Sequence, residues 1–413
     1  MSLHDAAGRH DFLLQTPQGR IIADDPLPGV TERTAVQIAQ EHDSVVVGLL
    51  PFDPDRPPLL MVPRRWHRKE RARRGDGPSE KQPAGKRRIT LPHPLSARGA
   101  DSPAYRHAVG RVLPEILDGR VEKVVLSRLL ELDYAEPIPV DAVVENLLRQ
   151  HPQANVFSVR DPHGAVHLGA SPELVIEVCG RRVRTHPLAG SASRCREDAT
   201  ADRQAAEELM RSAKDRAEHA MVVQDIRSRL EPLCTQLSIP PVPSVVATPQ
   251  LWHLGTSITG ILDSGLTALD AARAIHPTPA ICGTPRQAAL EAICRVEPHD
   301  RAYFGGLVGW MAPDGSGEWV LNLRSARLED RQAVLFAGAG IVQGSTPDQE
   351  HQETGVKLST FLAALGMTFD QLPAEQSSAD QPSAEQLTTD SSAEHLAVPS
   401  KRPFNSSLDQ EHS

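Results

Sequence analysis

The chain has 413 residues and is 39% hydrophobic, which is enough for one large domain or two average ones with a proper core. Its net charge is −9, but residues 366–413 hold eight acidic and only two basic residues, so the remainder is nearly neutral and gives no argument for nucleic acid. The sequence has no run of 18 apolar residues and no charged-then-apolar N-terminal signal, which predicts a soluble, cytoplasmic protein without membrane association.

Two segments are expected to lie outside the packed core. Residues 64–88 hold eleven Lys or Arg, three Asp or Glu and one aromatic, Trp66, which favours a solvated basic surface loop over a patch for nucleic acid or an acidic partner. Residues 366–413 are rich in Ser, Ala, Gln and acids, which predicts a disordered acidic tail and leaves 1–365 as the folded domain. The five cysteines form no C-x-x-C pair, so we expect reduced thiols.

The first third of the chain predicts short strands and one packing helix. Ser44–Leu50 and Leu59–Val62 are apolar runs on either side of a Pro-rich turn. Ala104–Leu117 has helical apolar spacing that is broken by Gly119, and we interpret it as a packing element. Val121–Tyr134 then predicts a strand that is buried on both faces.

Lys123 is the first candidate functional residue of that buried strand. Alternation places it on the same side as Val125, Ser127 and Leu129. Burying a charged ammonium is costly, and burial is one way in which a lysine becomes a general base near neutral pH. A lysine at a strand edge that extends its amine to water fits the same pattern, so the residues alone leave both interpretations open.

The next segment predicts antiparallel strands and a candidate acid. Val156–Arg160 and Ala165–Ala170 flank a DPHG turn and form a predicted hairpin. Glu173 follows at a strand start among apolar residues, where burial would raise its pKa and suit a general acid, although a solvated turn carboxylate fits equally well. Gly190 and Ser191 are a weak signal for backbone N–H groups that bind an anion.

Asp202–Leu233 predicts the longest helix of the chain. Glu218 lies beside the apolar stripe of this helix. A carboxylate near the core favours a cation, and Mg²⁺ typically takes one or two protein carboxylates. The alternative is an i,i+4 pair with Lys214, in the weaker order and worth only ~0.3 kcal/mol.

Three further segments predict strands and a constrained loop. Leu251–Leu262 and Tyr303–Trp310 predict strands with close-packed glycines. Ala274–Pro285, between them, is a Pro- and Gly-dense loop that is too constrained for a casual linker. Glu318–Leu328 predicts a strand that carries Arg324 among apolar neighbours, and a mostly buried arginine requires an anionic partner, either an internal carboxylate or a substrate.

The C-terminal stretch Gly338–Leu365 combines a glycine-rich apolar run with a predicted helix. A Ser-Thr-Pro sequence precedes this helix, in which Ser or Thr can cap the N-terminus and Pro suits the first turn. Glu350, Glu353 and Lys357 are spaced by three and four residues and share one helix face. Acids in a first helical turn are also favoured by the helix dipole alone. Taken together, the candidate lysine, acids and arginine suit an anionic small molecule that undergoes proton-coupled addition or elimination with a metal.

Long motifs occur in a fixed order over nearly all of residues 1–365. They are VVVGLLPFDPDRP (Val45–Pro57), KVVLSR (Lys123–Arg128), GASPEL (Gly169–Leu174), PLAGS (Pro187–Ser191), KDRAEH (Lys214–His219), HPTPAICGTP (His276–Pro285), GEWVLNLRSA (Gly317–Ala326) and AGAGIVQGSTPDQEHQETGVKLS (Ala337–Ser359). In these motifs the chain resembles the chorismate-utilising enzymes, and most closely the isochorismate synthases of siderophore pathways. Several motifs in order are far more specific than one short pattern.

The resemblance implies an α+β fold in one large, anthranilate synthase component I-like domain, with central antiparallel sheets, helices outside and the site in a cleft. It implies an isomerase that adds water at C2 of chorismate as the C4 hydroxyl leaves. By position, Lys123 matches the general base for that water and Glu173 the general acid for the leaving hydroxyl. Mg²⁺ is the implied cofactor. Glu218 and Glu353 match its ligands, and Glu350 matches a nearby acid that acts through water.

The resemblance also implies a set of substrate-binding residues. They are Gly190, Ser191, His276, Ala280, Arg324, Gly340 and Lys357. Among them, Arg324 and Lys357 match residues that hold the substrate's carboxylates, and Gly190 with Ser191 matches the place where the ring carboxylate and the metal meet.

The loop that ends in Arg286 separates the chain from other branches of the family. Relatives that make anthranilate or aminodeoxychorismate tend to end this loop in Gly-Ala-Pro-Lys, whereas this chain has HPTPAICGTPR. The difference favours water over ammonia as the nucleophile, and the siderophore branch over the menaquinone branch. A salicylate-forming lyase, a menaquinone-pathway isochorismate synthase and a non-catalytic scaffold are the alternatives. We expect a monomer whose product is used by a downstream isochorismatase or isochorismate-pyruvate lyase.

Overall fold

A computed structural model describes residues 9–70, 91–248 and 251–374. These ranges contain eight α-helices: α1 Ala35–Glu41, α2 Pro103–Leu117, α3 Val140–Gln150, α4 Ala199–Arg211, α5 Ala213–Leu230, α6 Ala268–Ile275, α7 Arg286–Val296 and α8 Pro347–Ala364. Two 3₁₀ turns are Glu231–Leu233 and Phe369–Gln371. None of the helices described is both long and apolar enough to span a bilayer.

The same ranges contain 21 strands. The first eleven are β1 Phe12–Gln15, β2 Gly19–Pro26, β3 Val46–Leu50, β4 Leu59–Met61, β5 Pro63–Glu70, β6 Ser96–Arg98, β7 Lys123–Asp133, β8 Asn155–Arg160, β9 Val166–Ser171, β10 Leu174–Cys179 and β11 Arg182–His186. The other ten are β12 Leu188–Ser193, β13 Cys234–Ser238, β14 Ser244–Ala247, β15 Leu251–Gly255, β16 Ile258–Leu262, β17 Gly283–Thr284, β18 Leu307–Met311, β19 Gly317–Leu321, β20 Ser325–Glu329 and β21 Gln332–Ile341.

The strands form three sheets with antiparallel neighbours. The ten-stranded sheet has the order β17-β7-β21-β20-β9-β8-β1-β2-β5, and β6 also pairs with β7. The eight-stranded sheet has the order β13-β16-β11-β10-β19-β18-β3-β4, and the small sheet has the order β12-β15-β14. The predicted α+β class with antiparallel sheets is therefore confirmed.

The two large sheets enclose one apolar layer and carry helices on their other faces. Phe12 and Phe157 of the ten-stranded sheet share a buried cluster with Val308 and Trp310 of the eight-stranded sheet. Helices α3 and α8 pack with a second cluster on the ten-stranded sheet, and α2, α5, α6 and α7 pack with a third. Each fully buried Leu or Phe side chain contributes roughly 1.5–3 kcal/mol, so these layers hold the cleft residues on rigid elements.

Strand β7 confirms the predicted buried strand. Its apolar residues pair with β21 over ten consecutive positions, from Asp133 opposite Gln332 to Val124 opposite Ile341. The predicted hairpin is also present as β8 and β9, whose residues pair from Asn155 opposite Ser171 to Arg160 opposite Val166. Helix α2 confirms the predicted packing helix.

The predicted single helix Asp202–Leu233 is wrong, because two helices, α4 and α5, occupy this region. Ser212 between them has an extended backbone with ψ of 113°, and its hydroxyl accepts a hydrogen bond from the Asp215 N–H. A serine in this conformation ends one helix and caps the next. The apolar spacing continues across the break, which is why periodicity alone misses it.

Three predicted strands are also corrected by the structure. Leu251–Leu262 is two strands in different sheets, β15 and β16. In Tyr303–Trp310, the first four residues form a turn and the strand begins at Leu307. Glu318–Leu328 is divided between β19 of the eight-stranded sheet and β20 of the ten-stranded sheet. Arg324 therefore lies at the corner between the two sheets, with φ of 50° in the left-handed region.

The two segments that were expected outside the core are partly described. The first residues of the predicted basic loop, 64–70, belong instead to the exposed strand β5 at the edge of the ten-stranded sheet. Residues 71–90 lie outside the described residues. Within the predicted tail, Met367 is buried with the α8 cluster and Phe369–Gln371 forms a 3₁₀ turn. The remainder, from residue 375, is outside the described ranges, so tail disorder stays a prediction there.

Candidate active site

Most of the predicted functional residues lie at the ends of elements that meet at the corner between the two large sheets. Lys123 opens β7, Glu173 precedes β10, Arg324 occupies the turn between β19 and β20, and Gly340 is near the end of β21. The two nearby helices, α5 and α8, contribute Glu218, Glu350, Glu353 and Lys357.

Lys123 is buried and paired with a carboxylate. Lys123 is only 2% exposed, and its Nζ donates a hydrogen bond to Glu218 Oε1 at 2.7 Å. A strand-edge lysine that reaches water is therefore the wrong interpretation, and so is a pair of Glu218 with Lys214. Burial acts to raise the pKa of Glu218, but the charge and hydrogen bond of Lys123 outweigh it and leave this pKa lowered.

Gly340 makes the close approach of Lys123 possible. A Cβ at this position would lie 2.7 Å from Lys123 Cε and 3.3 Å from its Nζ. Contacts shorter than 3.0 Å essentially never occur for a real Cβ, so a side chain here would displace the lysine. The glycine on β21 thus determines where the lysine amine lies.

Glu173 is a buried carboxyl that holds its proton near neutral pH. The residue is 5% exposed, and burial raises its pKa to about 8, although the Leu188 N–H and the charges of Lys123 and Arg324 act in the opposite direction. A solvated turn carboxylate is therefore the wrong interpretation. A protonated carboxyl among cations can donate a proton to a leaving group.

Helix α8 places a second lysine–carboxylate pair beside the first. Lys357 Nζ donates to Glu353 Oε1 at 2.6 Å and to the Gly338 carbonyl at 2.8 Å. The charge of Lys357 is the main reason why the pKa of Glu353 is lowered. Glu350, one turn away, is buried, and burial raises its pKa although the Ser345 side chain hydrogen-bonds to it.

Arg324 has no anionic partner within the described chain. Its guanidinium makes no hydrogen bond and no ion pair to any residue in ranges 9–70, 91–248 and 251–374. Burial lowers its pKa to about 10, while the charges of Glu353 and Glu173 act to raise it. An arginine that is partly buried without a bidentate partner fits a carboxylate ligand from outside the protein.

Two cavities meet at Arg324 and Lys357, which line both of them. The larger cavity, of about 510 Å³, is also lined by Leu188 of β12 and Ala170 of β9. The smaller cavity, of about 70 Å³, is also lined by the predicted substrate residue Ala280. The cations that were expected to hold carboxylates therefore face open space on two sides.

Gly190 and Ser191 lie in a β-bulge of β12. Gly190 has φ of 74°, and a Cβ there would lie 3.0 Å from the Asp215 Cβ of α5, so the position requires glycine on both counts. Ser191 is exposed. Neither Gly190 nor Ser191 lines either cavity, and the same holds for His276, whose Nε2 lies 2.9 Å from the buried Pro51 carbonyl. The structure thus gives no support to a substrate contact of His276.

Two residues at the site were missed by the sequence analysis. His253 in β15 donates to the Gly190 carbonyl, and burial, with the charges of Arg324 and Lys357, lowers its pKa to about 4. Arg301 lines the smaller cavity and donates to the Ile281 carbonyl at 2.9 Å and to the Val125 carbonyl at 2.6 Å. For His253, a polar residue between apolar strand residues was the available signal, whereas Arg301 lies in an irregular segment between α7 and β18 and had no such signal.

Three glutamates lie in one region and could provide oxygen ligands for Mg²⁺. The charge of Glu353 acts to raise the pKa values of both Glu218 and Glu350, so Glu353 interacts electrostatically with each of the other two carboxylates. Among the described residues, no three His, Cys, Asp or Glu side chains are grouped closely enough to hold a metal ion, and Lys123 and Lys357 form ion pairs with two of these carboxylates. The donor chemistry fits Mg²⁺, and the two ammonium groups lie where positive charge is needed.

The comparisons with known proteins agree with this fold. The model of the chorismate binding enzyme family matches residues 34–366. The match covers most of the chain, and the chain therefore belongs to the chorismate binding enzymes.

Individual relatives place the chain within that family. The isochorismate synthase EntC of Escherichia coli K12 is 42% identical over 327 residues, which are 78% of this chain and 81% of EntC. The crystal structure of DhbC from Bacillus anthracis has a TM-score of 0.78 at 33% identity and covers 88% of this chain and 97% of that one. Anthranilate synthase component I from Streptococcus pneumoniae, at 21% identity and a TM-score of 0.68 over 83% of this chain and 92% of its own, shares the fold.

Proposed function

We propose that the protein is an isochorismate synthase that converts chorismate to isochorismate. The observation that carries the proposal is a buried carboxyl, Glu173, that holds its proton and lies within reach of the charges of the buried Lys123 and of Arg324, which has no ion-pair partner among the described residues. The similarity to EntC supports the same reaction. The reaction is an isomerisation, so what enters as water at one ring carbon must leave as water from another.

Lys123 and Glu173 would act in opposite directions on the proton. Lys123 Nζ accepts a proton from the water whose oxygen forms a bond to C2 of the substrate ring. Glu173 donates its proton to the hydroxyl that leaves C4, so that the C4–O bond breaks and water departs. One proton is taken up and one is given, and the product has the mass of the substrate. Both groups are pre-positioned by strands, which is how a site limits the cost of orientation.

Arg324 and Lys357 would bind the carboxylates of the substrate. Arg324 offers a planar set of donors with no partner in the described chain, and Lys357 needs only to share its ammonium with Glu353. Chorismate carries two carboxylates, so two cations at the junction of two cavities fit it in number and sign. Ala280 in the smaller cavity and Gly340 under Lys123 are proposed to shape the space around the ring.

We further propose Mg²⁺ as the cofactor, with Glu218 and Glu353 as its ligands and Glu350 in support. Magnesium bound there would supply positive charge to a substrate carboxylate.

The motifs and the loop ending in Arg286 support a place in a siderophore pathway, upstream of an isochorismatase or an isochorismate-pyruvate lyase. Within the described ranges the larger cavity has the capacity for one small dicarboxylate, which agrees with chorismate as the ligand. The cytoplasmic location and the monomeric state expected from the sequence stay predictions.

The first experiment is incubation of the purified protein with chorismate, with and without Mg²⁺, followed by separation of the products by mass and retention. We expect a Mg²⁺-dependent product of unchanged mass and new retention. Salicylate with released pyruvate would instead identify a lyase. The absence of any conversion, with chorismate still bound, would contradict catalysis and leave a binding protein.

A further inference from the structure

The two adjoining cavities are lined by cationic side chains and by no acid. Arg301 lines the smaller cavity, Arg324 and Lys357 line both, and Arg194 and Arg196 line the outer part of the larger one. No Asp or Glu is among the described residues that line either cavity. Arg301 and Lys357 are ion-paired with Glu297 and Glu353, so the excess positive potential that attracts anions comes from the guanidinium groups without such a partner.

Arg194 and Arg196 are two residues apart in sequence and both line the larger cavity, but they differ in their interaction partners. Arg194 binds both carboxylate oxygens of Asp202, with Nη2 to Oδ2 at 2.7 Å, and its guanidinium lies 4.0 Å from the centre of the Trp252 ring. Its charge is therefore neutralised and its position is fixed. It contributes a rigid wall and little net potential.

Arg196 is exposed, and in the described part of the chain it has no hydrogen bond, ion pair or ring contact. The other guanidinium of this cavity with no anionic partner is Arg324 on the inner wall. The larger cavity thus has one uncommitted guanidinium at its exposed side and one at its partly buried side. His151, between them in the lining, does not add charge, because burial and the charge of Arg324 lower its pKa.

We propose that Arg196 forms an outer carboxylate-binding position, where a dicarboxylate is held before it reaches Arg324 and Lys357. The inference rests on the proposed function, since it takes chorismate as the dicarboxylate. A cavity of about 510 Å³ has room for such an anion outside the reacting centre. The position requires only charge and hydrogen-bond donors, so a lysine can serve there in part.

The test compares charge changes at Arg196 with the same changes at Arg203. Arg203 is exposed on α4, lines neither cavity, and has no ion pair to any described residue, so it is a control of equal net charge. Turnover of chorismate is measured for Arg196→Glu, Arg196→Lys and Arg203→Glu over a series of salt concentrations. The same three substitutions are also made in a Glu173→Gln background, and chorismate binding to each of these variants is measured by calorimetry.

We expect Arg196→Glu to lower kcat/KM about tenfold at low salt, mainly through KM, and the loss to shrink as salt shortens the screening length. Arg196→Lys should recover most of the loss, and Arg203→Glu should stay within about twofold of the parent. Equal effects at both positions, or a loss that appears in kcat alone, would overturn the proposal. If the parent protein binds chorismate without converting it, the proposed function fails, while the calorimetric comparison still decides the role of Arg196.

Discussion

Two buried glutamates on neighbouring strands of the eight-stranded sheet have similar burial and different surroundings. Glu173 precedes β10 and is 5% exposed, and Glu318 lies in β19, which pairs with β10, and is 4% exposed. Burial raises the pKa of the first to about 8 and of the second to about 7. By burial and proton affinity alone, either could be the acid of an active site.

The difference lies in what each carboxyl faces. Glu173 lies within reach of the charges of Lys123 and Arg324, and its chain neighbour Pro172 lines the larger cavity, although Glu173 itself lines neither cavity. Glu318 accepts a hydrogen bond from the Thr16 hydroxyl at 3.2 Å, and its Oε1 has no partner in the structure as described. The charges that act on it are those of Glu177, Arg68 and Arg184, and none of these residues lines either of the two cavities. A perturbed pKa therefore identifies a buried acid, and Glu173 is the candidate for catalysis because its cationic neighbours are the site residues Lys123 and Arg324, of which Arg324 lines both cavities.

The largest expected effect separates the two glutamates by activity. Glu173→Gln removes the transferable proton and should lower kcat by about 10²–10⁴-fold, which is the usual contribution of a general acid. Glu318→Gln is the matched control, with the same change at a similarly buried position, and should remain within about twofold. Steady-state turnover of chorismate measures both.

The comparison would break if Glu318→Gln lost activity to the same extent as Glu173→Gln while both variants remained folded by circular dichroism. The two carboxyls would then act through a shared structural effect. Retained activity in Glu173→Gln would remove this residue from the mechanism and leave the proton donor to another group.

The sequence predicts the elements of the site better than it predicts their contacts. The continuous apolar run of β7 and the helical spacing of α8 identify those elements directly. The Lys123–Glu218 pair joins residues 95 positions apart, and no local pattern encodes it. The residue patterns proposed both residues as candidates, the resemblance to a family assigned their roles, and the structure showed their ion pair.

The corner at Arg324 shows why other features could not be predicted. Strands β19 and β20 are close in sequence and similarly apolar, so the pattern predicts one strand. Only the packing of two sheets requires the chain to turn at Arg324 with a positive φ. Glu318 illustrates the converse, because its alternation in a strand gives no sign that a carboxyl lies between the sheets.

The position of the Lys123 ammonium beside Glu173 can be changed by a substitution at Gly340. In Gly340→Ala the new Cβ would lie 2.7 Å from Lys123 Cε, so the lysine must shift by a fraction of an ångström or more. Displacement of a catalytic group by about 1 Å costs on the order of 10²-fold in rate, and we expect a loss of 10–100-fold.

Gly355→Ala is the control for this change. It lies in α8 between Glu353 and Lys357, and its Cβ would meet only Arg128 Nη2, at an ordinary distance of 3.7 Å. We expect normal turnover and a free energy of unfolding that is unchanged or higher by about 0.5–1 kcal/mol, because alanine suits a helix interior. Equal activity in both variants would show that the position of the Lys123 amine does not matter.

The smallest effect concerns stability and tests whether the two glutamates impose the same cost on the fold. The folded-state pKa of Glu318 is raised from 4.5 to about 7. The native protein thus binds this proton more tightly than the unfolded chain does. The stabilisation is fully present below about pH 4.5 and is lost as the pH rises through about 7.

A neutral side chain should therefore help only at high pH. We expect Glu318→Gln to raise the free energy of unfolding by about 1–3 kcal/mol at pH 8 and to leave it nearly unchanged at pH 4, as measured by urea denaturation. Glu173→Gln should behave alike, except that its gain continues to grow up to about pH 8, where the folded-state pKa of Glu173 lies. A gain at pH 4 as large as at pH 8 would show that packing, and not ionisation, is responsible. If both variants gain stability and only Glu173→Gln loses turnover, then the cost of a buried carboxyl is common to both places and its catalytic use belongs to one.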